Sequence, residues 1–234
     1  MLGRKWIALG GLIWVLGSAL PAIAEWTPAA KNTVETKLVL LWRSVFRRLD
    51  REFKVPAFID ASGNWVAQKS ARRYSPCGDV FLAHYCVRDG NIYFNENELS
   101  GIALELGDSA AFLALIHEYG HAIQHRLGLL KAERPLKAIE LEADCFAGVQ
   151  MAYLNDLDLL EPNDLDEVVT AYGLYGDYDI TSSSHHGTPE ERIQSFFKGF
   201  HKGMAACLAP SAAPVNPQQQ TVSRRDCRLS LSVL

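Results

Sequence analysis

Asp108-Ser109-Ala110-Ala111-Phe112-Leu113-Ala114-Leu115-Ile116-His117-Glu118-Tyr119-Gly120-His121-Ala122-Ile123-Gln124-His125-Arg126-Leu127-Gly128 organises the reading of the whole chain. Asp108-Ser109 has the residue types that cap a helix N-terminus, and Gly128 the type that ends one. Between them Phe112, Leu113, Leu115, Ile116, Ile123 and Leu127 form a broad apolar stripe, which predicts a helix over residues 111–127. Inside it, His117-Glu118-Tyr119-Gly120-His121 fits the pattern H-E-x-x-H. Positions i and i+4 share a helix face, so two imidazoles there can hold one divalent metal with a glutamate beside the first. Gly120 costs a helix interior about 0.5–1 kcal/mol against alanine. Its presence predicts a close approach of another backbone, or of a substrate, at that point. The alternative is a helix whose polar face carries two histidines by accident.

A second pattern, Glu140-Leu141-Glu142-Ala143-Asp144, begins 19 residues after His121. Apolar Leu141, Phe146, Val149 and Leu154 place it on a helix over residues 136–154. Catalytic zinc takes three protein ligands and keeps one position open. Glu140 is the expected third ligand beside His117 and His121, and Asp144, one turn later, is expected to hold a ligating histidine ring. Glu142 points about 200° around the helix from Glu140 and competes for the metal only if the helix is distorted. Read without the upstream motif, the three acids are a solvated face.

The chain has 234 residues and a formal net charge of −4, with charges mixed along it, so nothing points to a nucleic-acid partner. Residues 1–24 read as a secretory signal: Arg4 and Lys5, an apolar run over 6–16, then Ala22-Ile23-Ala24 as a cleavage site. This predicts an exported protein, periplasmic or secreted; left uncleaved, the segment would be a membrane anchor. Residues 25–207 are expected to form the zinc-binding domain, and 208–234 a Pro/Ala/Gln-rich tail tied by a disulfide. Five cysteines suit an oxidising compartment. The expected pairs are Cys77 with Cys86 and Cys207 with Cys227, leaving Cys145 a buried free thiol.

Thr33 is expected to cap a helix over 34–53, apolar at Val34, Leu38, Leu41, Val45 and Leu49. Residues 57–74 carry mixed signals, with a turn at Ala61-Ser62-Gly63-Asn64. Residues 80–87 and 91–95 read as strands around Asp89-Gly90, a type I′ hairpin pair. If its free edge lines the site, an extended peptide can add to it as a strand. Further helices are expected over 163–175 and from the capping box Thr188-Pro189-Glu190-Glu191 to about 206, burying Ile193, Phe196, Phe197 and Phe200, with a loop over 177–184.

Four stretches resemble the bacterial neutral zinc metallopeptidase family, which is zincin-like: Ala83-His84-Tyr85-Cys86 through Ile92-Tyr93, the H-E-x-x-H run, Glu140 through Gly148, and His186-Gly187-Thr188 through Arg192. The resemblance spans roughly residues 77–203. It implies His117, His121 and Glu140 as zinc ligands and Glu118 as general base. Three features depart from the family pattern: a cleavable N-terminus in place of an anchor, a short connection between the site helices, and Ala122 where a histidine is frequent.

The expectation is therefore a mainly helical α+β metallopeptidase domain with a small antiparallel sheet packed on the site helix. It binds one zinc per chain and hydrolyses protein or peptide substrates; the sequence does not fix its oligomeric state. His186 is the first candidate for a donor to the oxyanion, with Tyr178 or Tyr175 behind it. His185 and His125 are weaker candidates, His125 being better placed to cap its helix end, and His84 and His201 read as structural or exposed. The rival expectation is an exported zinc-binding module without turnover, which keeps the metal ligands but has no need of Glu118.

Overall fold

Thr27 opens the first helix. Its hydroxyl accepts from Ala30 N at 3.1 Å, and Pro28 sits in the first turn, where a missing N–H leaves nothing unsatisfied. The computed structural model describes residues 25–63, 74–208 and 231–232. Helix α1 is Pro28–Arg48, starting earlier than the Thr33 cap predicted and ending earlier than residue 53. Thr33 lies within it, donating its hydroxyl to Ala29 O. Val34, Leu38, Trp42 and Phe46 form its buried face, a four-residue spacing that leaves Leu49 exposed.

The chain continues through β1 (Phe58–Asp60), β2 (Tyr74–Ser75), β3 (Gly78–Asp79), β4 (Ala83–Cys86), β5 (Asn91–Phe94) and α2 (Glu96–Leu106). Then follow α3 (Asp108–Leu127), α4 (Leu136–Asn155), α5 (Asp164–Tyr175), α6 (Pro189–Lys202), α7 (Met204–Leu208) and β6 (Leu231–Ser232). The main sheet has the order β1-β5-β4-β6. It is mixed rather than antiparallel: β1 pairs parallel to β5, while β4 runs antiparallel to both β5 and β6. The β4–β5 hairpin also differs from expectation. Cys86 pairs with Asn91, so the loop is residues 87–90, and of its two central candidates only Gly90 has a positive φ, 78°. A type I′ turn needs positive φ at both.

Helix α3 is the centre of the molecule. Every residue from Asp108 to Gln124 is buried, so its apolar stripe is part of an all-round interface. Asp108 is its first residue and not its cap; Gly107 (φ 102°) alone separates it from α2, whose Glu96 and Glu98 lie in the first turn. The capping box at Thr188 forms as expected, but Gly203 (φ 71°) ends α6 and divides the predicted helix into α6 and α7.

Glycines set the helix spacing. A Cβ on Gly120 falls 2.6 Å from Ala143 O of α4, so the glycine in the motif marks a close backbone approach, as expected. A Cβ on Gly148 of α4 falls 1.9 Å from Phe196 O of α6, and one on Gly199 of α6 falls 1.8 Å from Cys145 O of α4. The two helices meet backbone to backbone, and α7, turning back after Gly203, reaches the same crossing. Cys145 is accordingly bonded to Cys207 and is not a free thiol. Cys227 lies outside the described residues, as do the signal segment 1–24 and the tail 209–220. The Cys77–Cys86 bond is as predicted. Among the described residues no helix is long and apolar enough to cross a membrane.

Candidate metal centre

The site is built where α3 and α4 touch. On α3, His117 and His121 stand one turn apart with ring centroids 4.7 Å from each other. On α4, Glu140 turns inward, with Oε2 3.1 Å from His117 Nε2 and 3.5 Å from His121 Nε2. The three offer ligand atoms that all lie within 4.8 Å of one another, and all three residues are buried. Among the described residues no fourth His, Cys, Asp or Glu joins them.

Each histidine has its other nitrogen tied down. His117 Nδ1 bonds Asp144 Oδ1 at 2.7 Å. His121 Nδ1 bonds Gln124 Oε1 at 2.7 Å. Gln124 spends its amide donor on Ile139 O and Glu142 Oε2, each at 2.8 Å, so its oxygen is the acceptor and His121 Nδ1 carries the proton. Glu142, the competitor for the metal, is thus engaged elsewhere, and Arg134 grips both its oxygens, Nη1 to Oε2 at 2.8 Å and Nη2 to Oε1 at 3.2 Å.

Asp144 gathers four donors: His117 Nδ1, Tyr172 OH at 3.1 Å, and Arg192 Nε and Nη2, both at 2.9 Å. Arg192 is itself buried and reaches Tyr175 O at 3.1 Å. Burial opposes ionisation of Asp144, but Arg192 and His117 overcome it and hold the carboxyl below its usual range. Burial likewise pulls His117 down, yet Asp144 and Glu140 reverse this and leave it raised. Glu140 is held well below the ordinary carboxylate value, its burial outweighed by the two imidazoles.

Glu118 differs. Burial pushes its carboxyl up to about 8, with Glu140 adding to the rise and His121 and Tyr85 N opposing it. Oε2 accepts from Tyr85 N on β4 at 2.6 Å, and Oε1 is buried without a partner among the described residues. His121 Nε2 and Glu140 Oε1 are also buried and, among the described residues, without hydrogen-bond partners. Buried polar atoms are rarely left unpaired. Here three of them face one small region, and with two imidazole nitrogens and a carboxylate as donors the set fits Zn²⁺.

The remaining candidates separate cleanly. His186 lies close enough to feel Glu140, Arg192 and His117, and among the described residues its ring makes no hydrogen bond. Burial lowers its pKa. His185 is turned to Asp177 at 2.7 Å. Tyr178 is exposed and donates to Glu190 at 2.7 Å, whereas Tyr175 is buried and its hydroxyl has no partner among the described residues. His125 bonds Tyr85 OH at 2.7 Å rather than closing its helix, a task left to Gly128 in the left-handed region. His84 bonds Ser75 Oγ at 2.5 Å, and His201 is exposed against Phe197. Gln124, Tyr172 and Arg192 had no assigned role in the sequence reading. Gln124 stands three residues after His121, a spacing that puts both on one face and offered a local signal.

The family described as "Putative neutral zinc metallopeptidase" matches residues 31–209. The chain belongs to this family. The chain is similar to the "Uncharacterized protein YpfJ" of Escherichia coli K12, 26% identical over 190 residues that cover 69% of this chain and 63% of that one. The "Uncharacterized protein Rv2575" of Mycobacterium tuberculosis is 27% identical over 150 residues, 51% of each chain. The chain thus spans less than two thirds of the length of these relatives. No solved structure matches.

Proposed function

We propose that this family member is a zinc-dependent peptide hydrolase in which His117, His121 and Glu140 hold the metal and Glu118 is the general base. The observation that carries the reading is the convergence of those three side chains, two of which, His121 and Glu140, present an unpaired buried atom, with a third such atom, Glu118 Oε1, beside them. A structural zinc takes four protein ligands, and three favour a catalytic one. Zinc bound there supplies Lewis acidity, polarising a scissile carbonyl and making water acidic near neutrality. Glu118 takes the water proton on Oε1 as the new C–O bond forms and returns it to the departing amine as the C–N bond breaks. A cation within reach of Glu118 favours its ionised form, the form a base requires. His186, with a free ring, is the side chain proposed to donate to the developing oxyanion.

The peptide as substrate class has its own support. Leu231 and Ser232 pair antiparallel with Tyr85 and His84. The edge of β4 that meets Glu118 through Tyr85 N is therefore one on which extended backbone can lie. Export remains our proposal, consistent with two disulfides and with the sequence of residues 1–24. The test is metal content together with casein hydrolysis for the parent, Glu118→Gln and His117→Ala. Zinc in the first two alone, with hydrolysis only in the parent, is the expected result. Zinc without turnover in any form would assign the binding module instead, and no zinc in the parent would end both readings.

A further inference from the structure

A second group of acids lies at the other end of the site helix. Asp108 in the first turn of α3 and Asp164 and Glu167 in the first turn of α5 have carboxylate oxygens within 4.8 Å of one another. Asp164 is fully buried and Asp108 is 8% exposed. Part of the arrangement is capping: Asp164 Oδ2 accepts from Glu161 N at 2.7 Å, and Glu167 accepts from Ser109 N at 3.1 Å and from the Asn163 amide. Capping does not use everything present. Among the described residues Asp108 Oδ2 is buried with no hydrogen-bond partner, Asp164 Oδ1 is buried with only the Ser109 side chain acting on that carboxylate, and none of the three carboxylates has an ion-pair partner.

Charge decides between capping and ligation. A helix N-terminus offers about half a positive charge, so two offer about one, against three carboxylates. The deficit is about two charges, the charge of one divalent cation. The donors are all oxygen, which selects a hard ion, and no ring nitrogen or sulfur is present to draw zinc. Backbone shape contributes too. Gly107 has φ 102°, and a Cβ there would fall 1.9 Å from Glu167 Cδ, so the glycine opens the space in which that carboxylate rests on the start of α3.

We propose that Asp108, Asp164 and Glu167 form a calcium site that clamps α3 to α5, independent of the zinc centre. The clamp would fix the start of the helix that bears His117 and His121 against the helix that supplies Tyr172 to Asp144. Three side chains leave several of calcium's six to eight positions to water, which fits affinities in the range of about 10⁻⁴–10⁻³ M.

The test is thermal unfolding and calorimetric titration with Ca²⁺ on the zinc-loaded protein, its Asp164→Asn form and the milder Glu167→Gln form, with Asp108→Asn as a fourth. At about a hundredfold excess over Kd, the parent's Tm should rise by roughly 5–10 °C, and the two ligand variants should lose that rise and the binding isotherm. KCl at matched ionic strength should not reproduce it. In chelator, Asp108→Asn should melt above the parent, since it removes repulsion that the ion otherwise neutralises. Absence of any isotherm or Tm change up to about 10 mM Ca²⁺, or an equal rise in KCl, would overturn the proposal and leave the cluster as helix capping alone.

Discussion

Arg192 grips Asp144 with two parallel hydrogen bonds, Nε to Oδ2 and Nη2 to Oδ1, each 2.9 Å, and neither residue reaches solvent. The pair stands directly behind His117, so an arginine on α6 sets the orientation of a proposed ligand on α3 through an aspartate on α4. Removing one member of a buried pair strands the other charge, at a cost of about 3–5 kcal/mol. Arg192→Met should therefore lower unfolding free energy by that amount and weaken zinc binding as well. Arg192→Lys should recover little, because an ammonium cannot bridge both oxygens. Denaturant unfolding and zinc competition titrations measure the two effects.

Gln124 orients His121 in the same manner, and its loss should be felt chiefly at the metal. Gln124→Ala is expected to reduce zinc affinity by about 10–100-fold. Glu142→Ala, which removes only the acceptor behind Gln124 and the partner of Arg134, should cost less than Glu140→Ala. A larger loss in Glu142→Ala would move the ligand assignment from Glu140 to Glu142.

Asp177 organises the turn that delivers His186: it accepts from His185 Nδ1 at 2.7 Å, His186 N at 3.3 Å and Asp179 N at 3.0 Å. Burial opposes its ionisation more than any one donor favours it, but together these donors hold its carboxyl below the ordinary carboxylate value. The stabilisation is therefore complete above the unfolded value and is lost as pH falls through the lower folded one. Amide protection factors in residues 177–187, with the intrinsic pH dependence of exchange divided out, should be constant above about pH 5 and should fall only in stronger acid. Asp177→Ala should show fast exchange at every pH, with zinc content unchanged and turnover reduced.

The α4–α6 crossing should be intolerant of a single methyl group. Gly148→Ala places a Cβ against Phe196 O with nothing flexible to give way, so a loss of about 3 kcal/mol or more is expected by thermal or urea unfolding. Cys207→Ala, which opens the bond to Cys145 across a separation of 62 residues, should cost about 2–5 kcal/mol. Cys227→Ala should leave this crossing's stability unchanged; an equal loss there would return the pairing to Cys207 with Cys227.

What could be read from the sequence was what helical periodicity fixes. His117, His121, Glu140 and Asp144 sit at i, i+4 spacings, and the helices that carry them form nearly as predicted, so the four side chains meet. Gly120 could be read because a glycine inside a buried helix has few explanations. Arg192 could not, since an arginine in the first turns of an amphipathic helix is ordinarily solvated, and only the packing of α6 on α4 turns it inward. The same packing brings Cys207 to Cys145, where sequence proximity had favoured Cys227. Strand β1 is three residues long and its partner β5 lies more than thirty residues on, so no local pattern announced it. Calling Asp108 a cap overlooked Gly107, whose positive φ lets α2 run almost directly into α3.

Helices α3, α4 and α6 meet where Gly120, Gly148 and Gly199 leave no side chain between them. Contacts of this kind have no compressible cushion, so the three helices behave as stacked rods whose separation is fixed by their own backbones. The gap from His117 and His121 across to Glu140 is then a gauge of set width. For an ion held there as proposed, a mismatch in size would meet stiff scaffolding in place of yielding side chains, and discrimination by size would be set by the crossing as well as by the ligands.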